Sequence, residues 1–244
     1  MDYTTYQKFL DTYLVQGKQI NGFSLNVVDY EAIFISKDNP SSLYKKVLDE
    51  FKEFSPDSFT TRKNRIAFWI NAYNIGAIKM IIDHYPVDSI RSRDIQFFKN
   101  PWGKPVLDIG GRKYSLGEIE HDILLGELKE PLAHFAIVCA SLSCPELSRK
   151  AYSGDTLTEH LDKQAVNFLR DTKKGIRIDR EEKKIFFSKI FKFDKKTFLD
   201  GAASAISLIS PHLKEEDRQY LANEKYKIRY LGYNWALNTL SQAK

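Results

Sequence analysis

The sequence predicts an α+β fold, organised as a single globular domain over residues 1–244. Three observations predict this class. Segments of strand and helix character alternate irregularly, which favours helices packed on a mixed or antiparallel sheet over a doubly wound parallel one. Several short strands are paired through tight turns and therefore indicate hairpins. One long helical segment is apolar on every face, which is typical of a helix buried in the core.

The first third of the chain supplies the first helices. Apolar residues recur at helical spacing over residues 3–14 and again over 43–54, so we expect residues 1–58 to form a helical part packed on the rest of the domain. Residues 62–84 are the segment that is apolar all round, and we expect them to form the buried central helix. Pro86 helps to end this helix, because proline disfavours helical geometry in the preceding residue.

A hairpin and a capped helix follow the central helix. Residues 105–115 predict two short strands joined at Gly110 and Gly111, a pair that tolerates the positive φ of a tight turn. Ser115 and Glu118 match a capping box, which predicts that a helix begins there and ends near Gly126.

The next segment contains both cysteines. Residues 134–141 predict a short buried strand, because they form an apolar run of strand length. Pro145 is typical of the first position of a helix, where its missing N–H donor costs nothing. The sequence therefore predicts that a helix begins here with Cys144 as its N-cap.

The C-terminal part alternates helices with short strands. Thr156 and Glu159 match a second capping box, which opens a helix to about Arg170. Ser210 and Pro211 are expected to break a later helix. The other predicted elements are hairpin strands at 175–179 and 184–188, a helix capped by Asp194, a helix at 215–222 and a last strand at 226–231.

Composition excludes several classes of function. The net charge of +5 comes from 37 basic and 32 acidic residues that are interspersed, which is typical of a solvated surface and predicts no nucleic-acid partner. No apolar run approaches the roughly 18 residues of a membrane span, so we expect a water-soluble chain without one. The N-terminus lacks a secretion signal, which predicts a cytoplasmic protein if the chain is complete and an exported one if a leader was removed.

Neither a cofactor nor a metal ion is predicted. The sequence contains no glycine-rich phosphate loop, no Gly-x-Ser-x-Gly elbow and no His-Glu-x-x-His pair. Four side chains are possible metal ligands, but the four residues between the two cysteines match zinc spacings only loosely. These side chains are Cys139, Cys144, His121 and His134.

Cys144 is the main candidate for chemistry. A thiol at a helix N-terminus faces unpaired backbone amides and the positive end of the helix dipole, which stabilise the nucleophilic thiolate. Cys139 follows the apolar run 135–138, where a cysteine is typically a small buried hydrophobe. The short separation of the two cysteines is also compatible with a local bridge or with plain packing.

A nucleophilic cysteine needs a base, and two histidines lie nearby in the sequence. His134 and Cys139 are five residues apart, so regular strand alternation would place them on opposite faces of the sheet. His134 could still meet Cys144 after the turn. His121 could meet it from the preceding helix, oriented by Glu118 one turn earlier.

Asn71 and Asn74 lie three residues apart and therefore share one face of the most apolar helix. Buried amides need hydrogen-bond partners, because an unpaired one costs about 1–3 kcal/mol. In a structural role they would bind loop or strand backbone. In a functional role one of them would orient a histidine or donate to a developing oxyanion.

Several ordered blocks of sequence carry a family resemblance. They are residues 67–74 (AFWINAYN), 115–121 (SLGEIEH), 134–145 (HFAIVCASLSCP), 187–191 (FSKIF) and 228–238 (IRYLGYNWALN). This pattern resembles the domain of unknown function 547 family over roughly residues 59–244. The family has no assigned activity, so the resemblance implies positions and no reaction. The positions are Asn71, Asn74, Glu120, His121, His134, Cys139, Cys144 and Pro145.

These residues lead to one hypothesis and one alternative. The hypothesis is a thiol-dependent hydrolase or acyltransferase that acts on a peptide or amide-like substrate. Its site residues are Cys144 as nucleophile, His134 or His121 as base, Asn71 or Asn74 as orienting or oxyanion donor, and Glu120 beside them. The alternative is a non-catalytic binding module, in which the same residues form a satisfied polar core and a protein or ligand docks on aromatic residues such as Trp102, Tyr152 or Trp235.

Overall fold

The computed structural model describes residues 1–96, 100–194 and 202–243. They divide into two compact units. The first unit comprises Met1–Leu157 together with the C-terminal residues from Trp235, and the second unit comprises Thr158–Asn234. Helices combine with two hairpins and one mixed sheet, so the predicted α+β class is confirmed. The organisation of residues 1–244 as one domain stays a prediction.

The N-terminal part of the first unit contains a hairpin that the sequence analysis did not predict. It has helices α1 (Thr4–Tyr13), α2 (Tyr30–Ser36) and α3 (Leu43–Glu53), and strands β1 (Leu14–Ile20) and β2 (Phe23–Val28). The strands pair antiparallel through Asn21 and Gly22, whose φ angles of 49° and 79° are both positive. An Asn-Gly pair between two apolar runs is a strong hairpin signal. The expectation of a purely helical N-terminal part was therefore wrong.

Helix α3 carries a cap that can be tested directly. The Ser42 hydroxyl oxygen accepts a hydrogen bond from the Lys45 N–H at 3.2 Å. We expect Ser42→Ala to lower the free energy of unfolding by about 1 kcal/mol, because a first-turn N–H loses its acceptor. Chemical denaturation measures the change, and Ser41→Ala at the exposed neighbouring position is the matched control. Equal stability of the two variants would contradict the assignment of the cap.

The predicted central helix is confirmed as α4 (Arg62–Ile82). Every residue from 66 to 78 is buried, including the amides of Asn71 and Asn74. Thr61 begins the helix, and its hydroxyl oxygen accepts from the Asn64 N–H at 3.2 Å. Because α4 is covered on all sides, its polar side chains must find partners inside the protein.

The predicted hairpin and capped helix after α4 are present. A short helix α5 (Arg93–Gln96) precedes strands β3 (Pro105–Ile109) and β4 (Arg112–Ser115), which pair antiparallel. Gly110 and Gly111 join them with φ angles of 58° and 79°. The helix that follows is a π-helix (Glu118–Glu127), and at its end the Leu128 N–H donates to the Ile123 oxygen at 2.8 Å.

One of the two hydrogen bonds of the predicted capping box is present at the start of the π-helix. The Ser115 hydroxyl oxygen accepts from the Glu118 N–H at 3.2 Å, as predicted. The Glu118 carboxylate does not complete the box, because it pairs with the Arg112 guanidinium on β4. Strand β4 and the π-helix are thereby connected by an ion pair.

Two predictions about residues 134–148 were wrong. Residues Pro131–Phe135 form a 3₁₀ turn, and residues 136–148 form neither a strand of a sheet nor a helix. Two features oppose a strand here. The side chain of Asn74 takes the hydrogen bonds of the Ala136 oxygen and the Val138 N–H, and Ala140 has a φ of 59°. One antiparallel bridge, Ser141 with Leu237, remains. Cys144 is therefore not a helix N-cap.

The second unit contains a three-stranded mixed sheet. Strands β5 (Ile176–Asp179) and β6 (Lys184–Phe187) pair antiparallel, and β6 pairs parallel with β7 (Lys227–Tyr230). The helices are α6 (Leu157–Leu169), α7 (Ile190–Phe193), α8 (Ala202–Ile209) and α9 (Glu215–Asn223), with a 3₁₀ turn at Ser210–His212. The hairpin, the break at Ser210 and the last strand agree with the sequence analysis. The helix predicted after Asp194 begins outside the described residues.

No helix among the described residues combines the length and the apolar composition that crossing a membrane requires.

Candidate functional site

Glu120 and His134 form a largely buried pair in the first unit. The π-helix carries Glu120, and the 3₁₀ turn Pro131–Phe135 carries His134. The Glu120 Oε1 and His134 Nδ1 atoms are 3.7 Å apart, and only 13% and 5% of the two side chains are exposed. This distance exceeds that of a direct hydrogen bond, so the carboxylate and the imidazole are close neighbours without a direct bond.

Tyr73 and Trp102 extend this pair into a chain of hydrogen bonds. The Tyr73 hydroxyl donates to Glu120 Oε2 at 3.1 Å. The Trp102 indole N–H donates to the Tyr73 hydroxyl oxygen at 3.1 Å. Tyr73 lies on α4, and Trp102 lies in the 3₁₀ turn Pro101–Gly103. We call Trp102, Tyr73, Glu120 and His134 the site chain.

The sequence analysis missed Tyr73 and Trp102 as members of the site. One signal was present for Tyr73, because it lies between Asn71 and Asn74 and adds a third polar group to an otherwise apolar helix. No comparable signal exists for Trp102. Its contact with Tyr73 joins residues 29 positions apart and depends on how the turn after residue 100 packs on α4.

Asn74 fixes the loop that follows His134. Its amide nitrogen donates to the Ala136 oxygen at 3.0 Å, and its carbonyl oxygen accepts from the Val138 N–H at 2.9 Å. These two main-chain groups lie between His134 and Cys139. A single buried side chain on α4 therefore holds the loop that runs from His134 to Cys139.

Asn71 likewise uses both its amide nitrogen and its carbonyl oxygen, in this case to bind the main chain of Tyr152. Its amide nitrogen donates to the Tyr152 oxygen at 2.8 Å, and its carbonyl oxygen accepts from the Tyr152 N–H at 3.0 Å. The donor group of each asparagine is thus engaged with main chain, as in the structural role considered from the sequence. Each amide nitrogen therefore already donates to a main-chain oxygen.

Cys139 and Cys144 form a disulfide, which is the local bridge that the sequence left open. Both residues are buried, with 7% and 4% of their surfaces exposed. The Cys139 main-chain N–H donates to the Cys144 sulfur at 3.1 Å, and the Cys139 sulfur lies 3.3 Å from the Ser141 hydroxyl oxygen. In this form neither cysteine offers a thiol. The helix dipole expected to activate Cys144 is not there either.

His121 lies apart from these residues. Its side chain is exposed, whereas the neighbouring Glu120 is turned inward towards His134. Glu118, which was expected to orient His121, is held by Arg112. The structure therefore pairs Glu120 with His134 and places Asn74 against the loop between His134 and Cys139, whereas the exposed His121 is not part of this pair.

Metal ligands do not gather in the described parts of the chain. Within residues 1–96, 100–194 and 202–243, no three His, Cys, Asp or Glu side chains are arranged to hold a metal ion. The four possible ligands considered from the sequence are divided between the disulfide, the buried His134 and the exposed His121.

Comparisons with known proteins give one family. Residues 56–169 match the family described as "Protein of unknown function, DUF547". No curated protein and no solved structure gives a match to the chain. The later blocks at 187–191 and 228–238 lie beyond the matched residues. The chain therefore resembles the DUF547 family over residues 56–169, a span that contains the whole site chain, both asparagines and both cysteines.

Proposed function

We propose that the protein is a thiol-dependent hydrolase or acyltransferase for a peptide or amide-like bond. The nucleophile is Cys144, released by reduction of the disulfide, and the base is His134 oriented by Glu120. The observation that carries the proposal is the buried Glu120–His134 pair. A carboxylate facing Nδ1 favours the imidazole tautomer with its proton on Nδ1, which leaves Nε2 to accept a proton from a nucleophile.

Cys144 is a better nucleophile in this site than Cys139. The Cys139 main-chain N–H already points at the Cys144 sulfur at 3.1 Å. A hydrogen bond to the charged form of a thiol favours the thiolate. This donor supplies the stabilisation that the sequence analysis attributed to a helix N-terminus.

The reaction begins with reduction of the bridge. A dithiol reductant gives two electrons and two protons to the disulfide, which becomes two thiols, and the reductant itself becomes a disulfide. The Cys144 thiol then transfers its proton to His134 Nε2, and the sulfur attacks the carbonyl carbon of the substrate. The carbon–nitrogen bond breaks, and the amine leaves with the proton from His134. A thioester on Cys144 remains.

The thioester is resolved by a second nucleophile. Water, or an acceptor amine or alcohol, attacks the carbonyl carbon while His134 takes its proton. The carbon–sulfur bond breaks, and the sulfur regains a proton as the thiol is restored. Attack by water makes the protein a hydrolase, and attack by an acceptor makes it an acyltransferase.

The alkylation rate of single-cysteine variants tests the proposal. Cys139→Ala leaves Cys144 as a permanent thiol and keeps the main-chain N–H of residue 139, whereas Cys144→Ala leaves Cys139. We expect iodoacetamide to modify Cys144 in the first variant with an apparent pKa clearly below the roughly 8.5 of a free thiol. Mass spectrometry over a pH series measures both rates. The wild-type protein should react only after treatment with dithiothreitol.

Two additional variants connect the thiol to the base. In the Cys139→Ala background, His134→Ala and Glu120→Gln should both raise the apparent pKa of Cys144. His121→Ala is the control, because this exposed histidine lies outside the site chain. If Cys144 reacts no faster than Cys139, or reacts only when the protein unfolds, the thiol-dependent reaction is wrong.

A binding module is the second candidate. It is favoured by the hydrogen bonds of Asn71 and Asn74, which join buried amides to main chain as a structural polar core would. In that role a peptide or small molecule docks on the surface and no thiol takes part. Slow alkylation of both cysteines in folded protein would support this second candidate.

A further inference from the structure

Hydrogen-bond chemistry fixes the direction of two donors in the site chain, the Trp102 indole N–H and the Tyr73 hydroxyl. An indole N–H can only donate, so the Tyr73 oxygen must be the acceptor of its bond with Trp102. A tyrosine hydroxyl has one proton, and Tyr73 donates it to Glu120 Oε2 at 3.1 Å. The Tyr73 proton therefore points at the carboxylate. Glu120 is accordingly an acceptor at Oε2, which suits the ionised carboxylate.

The other oxygen of the Glu120 carboxylate faces His134. With Tyr73 donating to Oε2, the Oε1 atom of Glu120 faces His134 Nδ1 at 3.7 Å. A carboxylate with both oxygens available as acceptors stabilises a proton on Nδ1 over a lone pair there. The neutral imidazole is thereby biased to the Nδ1–H tautomer, with Nε2 unprotonated.

We infer that Tyr73 and Trp102 are positioning residues that fix the tautomer of His134 through Glu120. The inference rests on the proposed role of His134 as a base, and it names two side chains to which the proposed reaction assigns no step. Trp102 fixes Tyr73, Tyr73 fixes Glu120, and Glu120 fixes the imidazole. Residues that hydrogen-bond to the partner of a functional histidine commonly set the orientation of its ring.

A close approach of main chain supports the position of Trp102. A Cβ atom added at Gly117 would lie 2.7 Å from the Trp102 main-chain oxygen and 3.4 Å from its carbonyl carbon. Only glycine at residue 117 lets the turn that carries Trp102 pack this closely on the start of the π-helix. The turn that carries Trp102 and the start of the helix that carries Glu120 are therefore in close contact at the main chain.

Ring packing also restrains the Trp102 side chain. Its ring packs edge-to-face on Trp235 with centroids 5.9 Å apart, and the Arg91 guanidinium lies 4.9 Å from the Trp235 centroid. Edge-to-face aromatic pairs and cation–π contacts both favour defined geometries. The indole that begins the site chain is thus held on two sides, by hydrogen bonding and by ring packing.

Nitrogen NMR of the His134 imidazole tests the inference. In ¹⁵N-labelled wild-type protein, at a pH where the ring is neutral, two-bond ¹H–¹⁵N correlations should show a single tautomer with the proton on Nδ1. Tyr73→Phe keeps the ring and removes the hydroxyl, and Trp102→Phe keeps an aromatic side chain and removes the indole N–H, so we expect both tautomers to appear in each variant. The His134 signals are assigned from their loss in His134→Gln.

Trp69→Phe is the matched control. The Trp69 indole lies on the same helix as Tyr73, and among the described residues its N–H has no hydrogen-bond partner. This variant therefore makes the same chemical change without removing a link, and the His134 tautomer should not change. A purely structural effect of losing an indole would affect both tryptophan variants alike.

Gly117→Ala tests the chain without altering any of its side chains. The added methyl group displaces the Trp102 main chain, so we expect the second His134 tautomer here too. Gly232→Ala is the control, because a Cβ there meets nothing within 4 Å. If Gly117→Ala does not fold, the two phenylalanine variants still decide the question.

The outcomes separate this inference from the proposed reaction. The tautomer is measured in the oxidised protein, so it does not depend on whether Cys144 is a nucleophile. An Nε2–H tautomer in the wild type, or unchanged spectra in Tyr73→Phe and Trp102→Phe, would overturn the inference. If the tautomer behaves as expected while Cys144 is unreactive, the positioning holds and the thiol reaction fails.

Discussion

We expect Gly175→Ala to lower the free energy of unfolding of the second unit by about 3 kcal/mol, near the upper end of overpacking effects. A Cβ atom at residue 175 would overlap the Phe168 carbonyl oxygen and would lie 2.8 Å from the Phe168 carbonyl carbon and 2.9 Å from the Leu169 Cα. These are main-chain atoms at the end of α6, so no side-chain rotation relieves the overlap.

The backbone around Gly175 is also held in place. Its N–H donates to the Asp171 oxygen at 2.7 Å, and its oxygen accepts from the Ser188 N–H at 2.7 Å. Moving residue 175 away from α6 would break one or both bonds. Urea denaturation followed by circular dichroism measures the loss, and hydrogen exchange assigns it to the second unit.

Gly232→Ala is the matched control for this prediction. Both glycines lie in the second unit, and the Cβ of residue 232 would meet nothing within 4 Å. We expect its effect to stay within about 0.5 kcal/mol, as for ordinary surface substitutions. Equal stability of the two variants would show that the main chain at residue 175 is not packed as described.

The second large effect concerns Asn74. We expect Asn74→Ala to lower the free energy of unfolding by about 3 kcal/mol, because the Ala136 oxygen and the Val138 N–H are left buried and unpaired at a cost of about 1–3 kcal/mol each. Denaturation measures the total, and faster hydrogen exchange of the Val138 amide localises it. Asn223→Ala, an exposed asparagine with one local bond to the Gln219 oxygen, is the control.

Asn74→Asp separates the two ends of this side chain. Aspartate keeps an acceptor for the Val138 N–H but places an oxygen against the Ala136 oxygen, where the amide now donates at 3.0 Å. It should therefore destabilise the protein although it is nearly isosteric with asparagine. If both substitutions cost less than about 1 kcal/mol, Asn74 does not hold the loop.

Local chemistry made much of the fold predictable. The central helix α4 was predicted because its residues are apolar on every face, and the Ser115 cap and the Gly110–Gly111 turn depend on neighbours within a few residues. The hairpin at Asn21 and Gly22 depends on an equally local signal. This hairpin was not predicted because residues 1–58 were interpreted as a helical part from the spacing at 3–14 and 43–54.

Long-range hydrogen bonds explain what the sequence did not predict. Residues 134–141 have the composition of a strand, but their main-chain partners include the side chain of Asn74, more than 60 positions earlier. No local pattern contains that information. The same holds for the site: Glu120 and His134 were both named, yet their pairing and its extension through Tyr73 to Trp102 depend on how four separate elements pack.

The disulfide has a consequence for the chemical lifetime of the protein. Its cysteines are five residues apart, so the bridge closes a short loop, for which chain entropy predicts only about 2 kcal/mol of stabilisation. A free thiolate is open to oxidation through sulfenic to sulfinic and sulfonic acids, and the last two are irreversible or nearly so. A sulfur atom in a disulfide is not a thiolate and does not enter this series of oxidations. In the proposed reaction, the bridge between Cys139 and Cys144 would protect the nucleophile from irreversible oxidation until a reductant opens it.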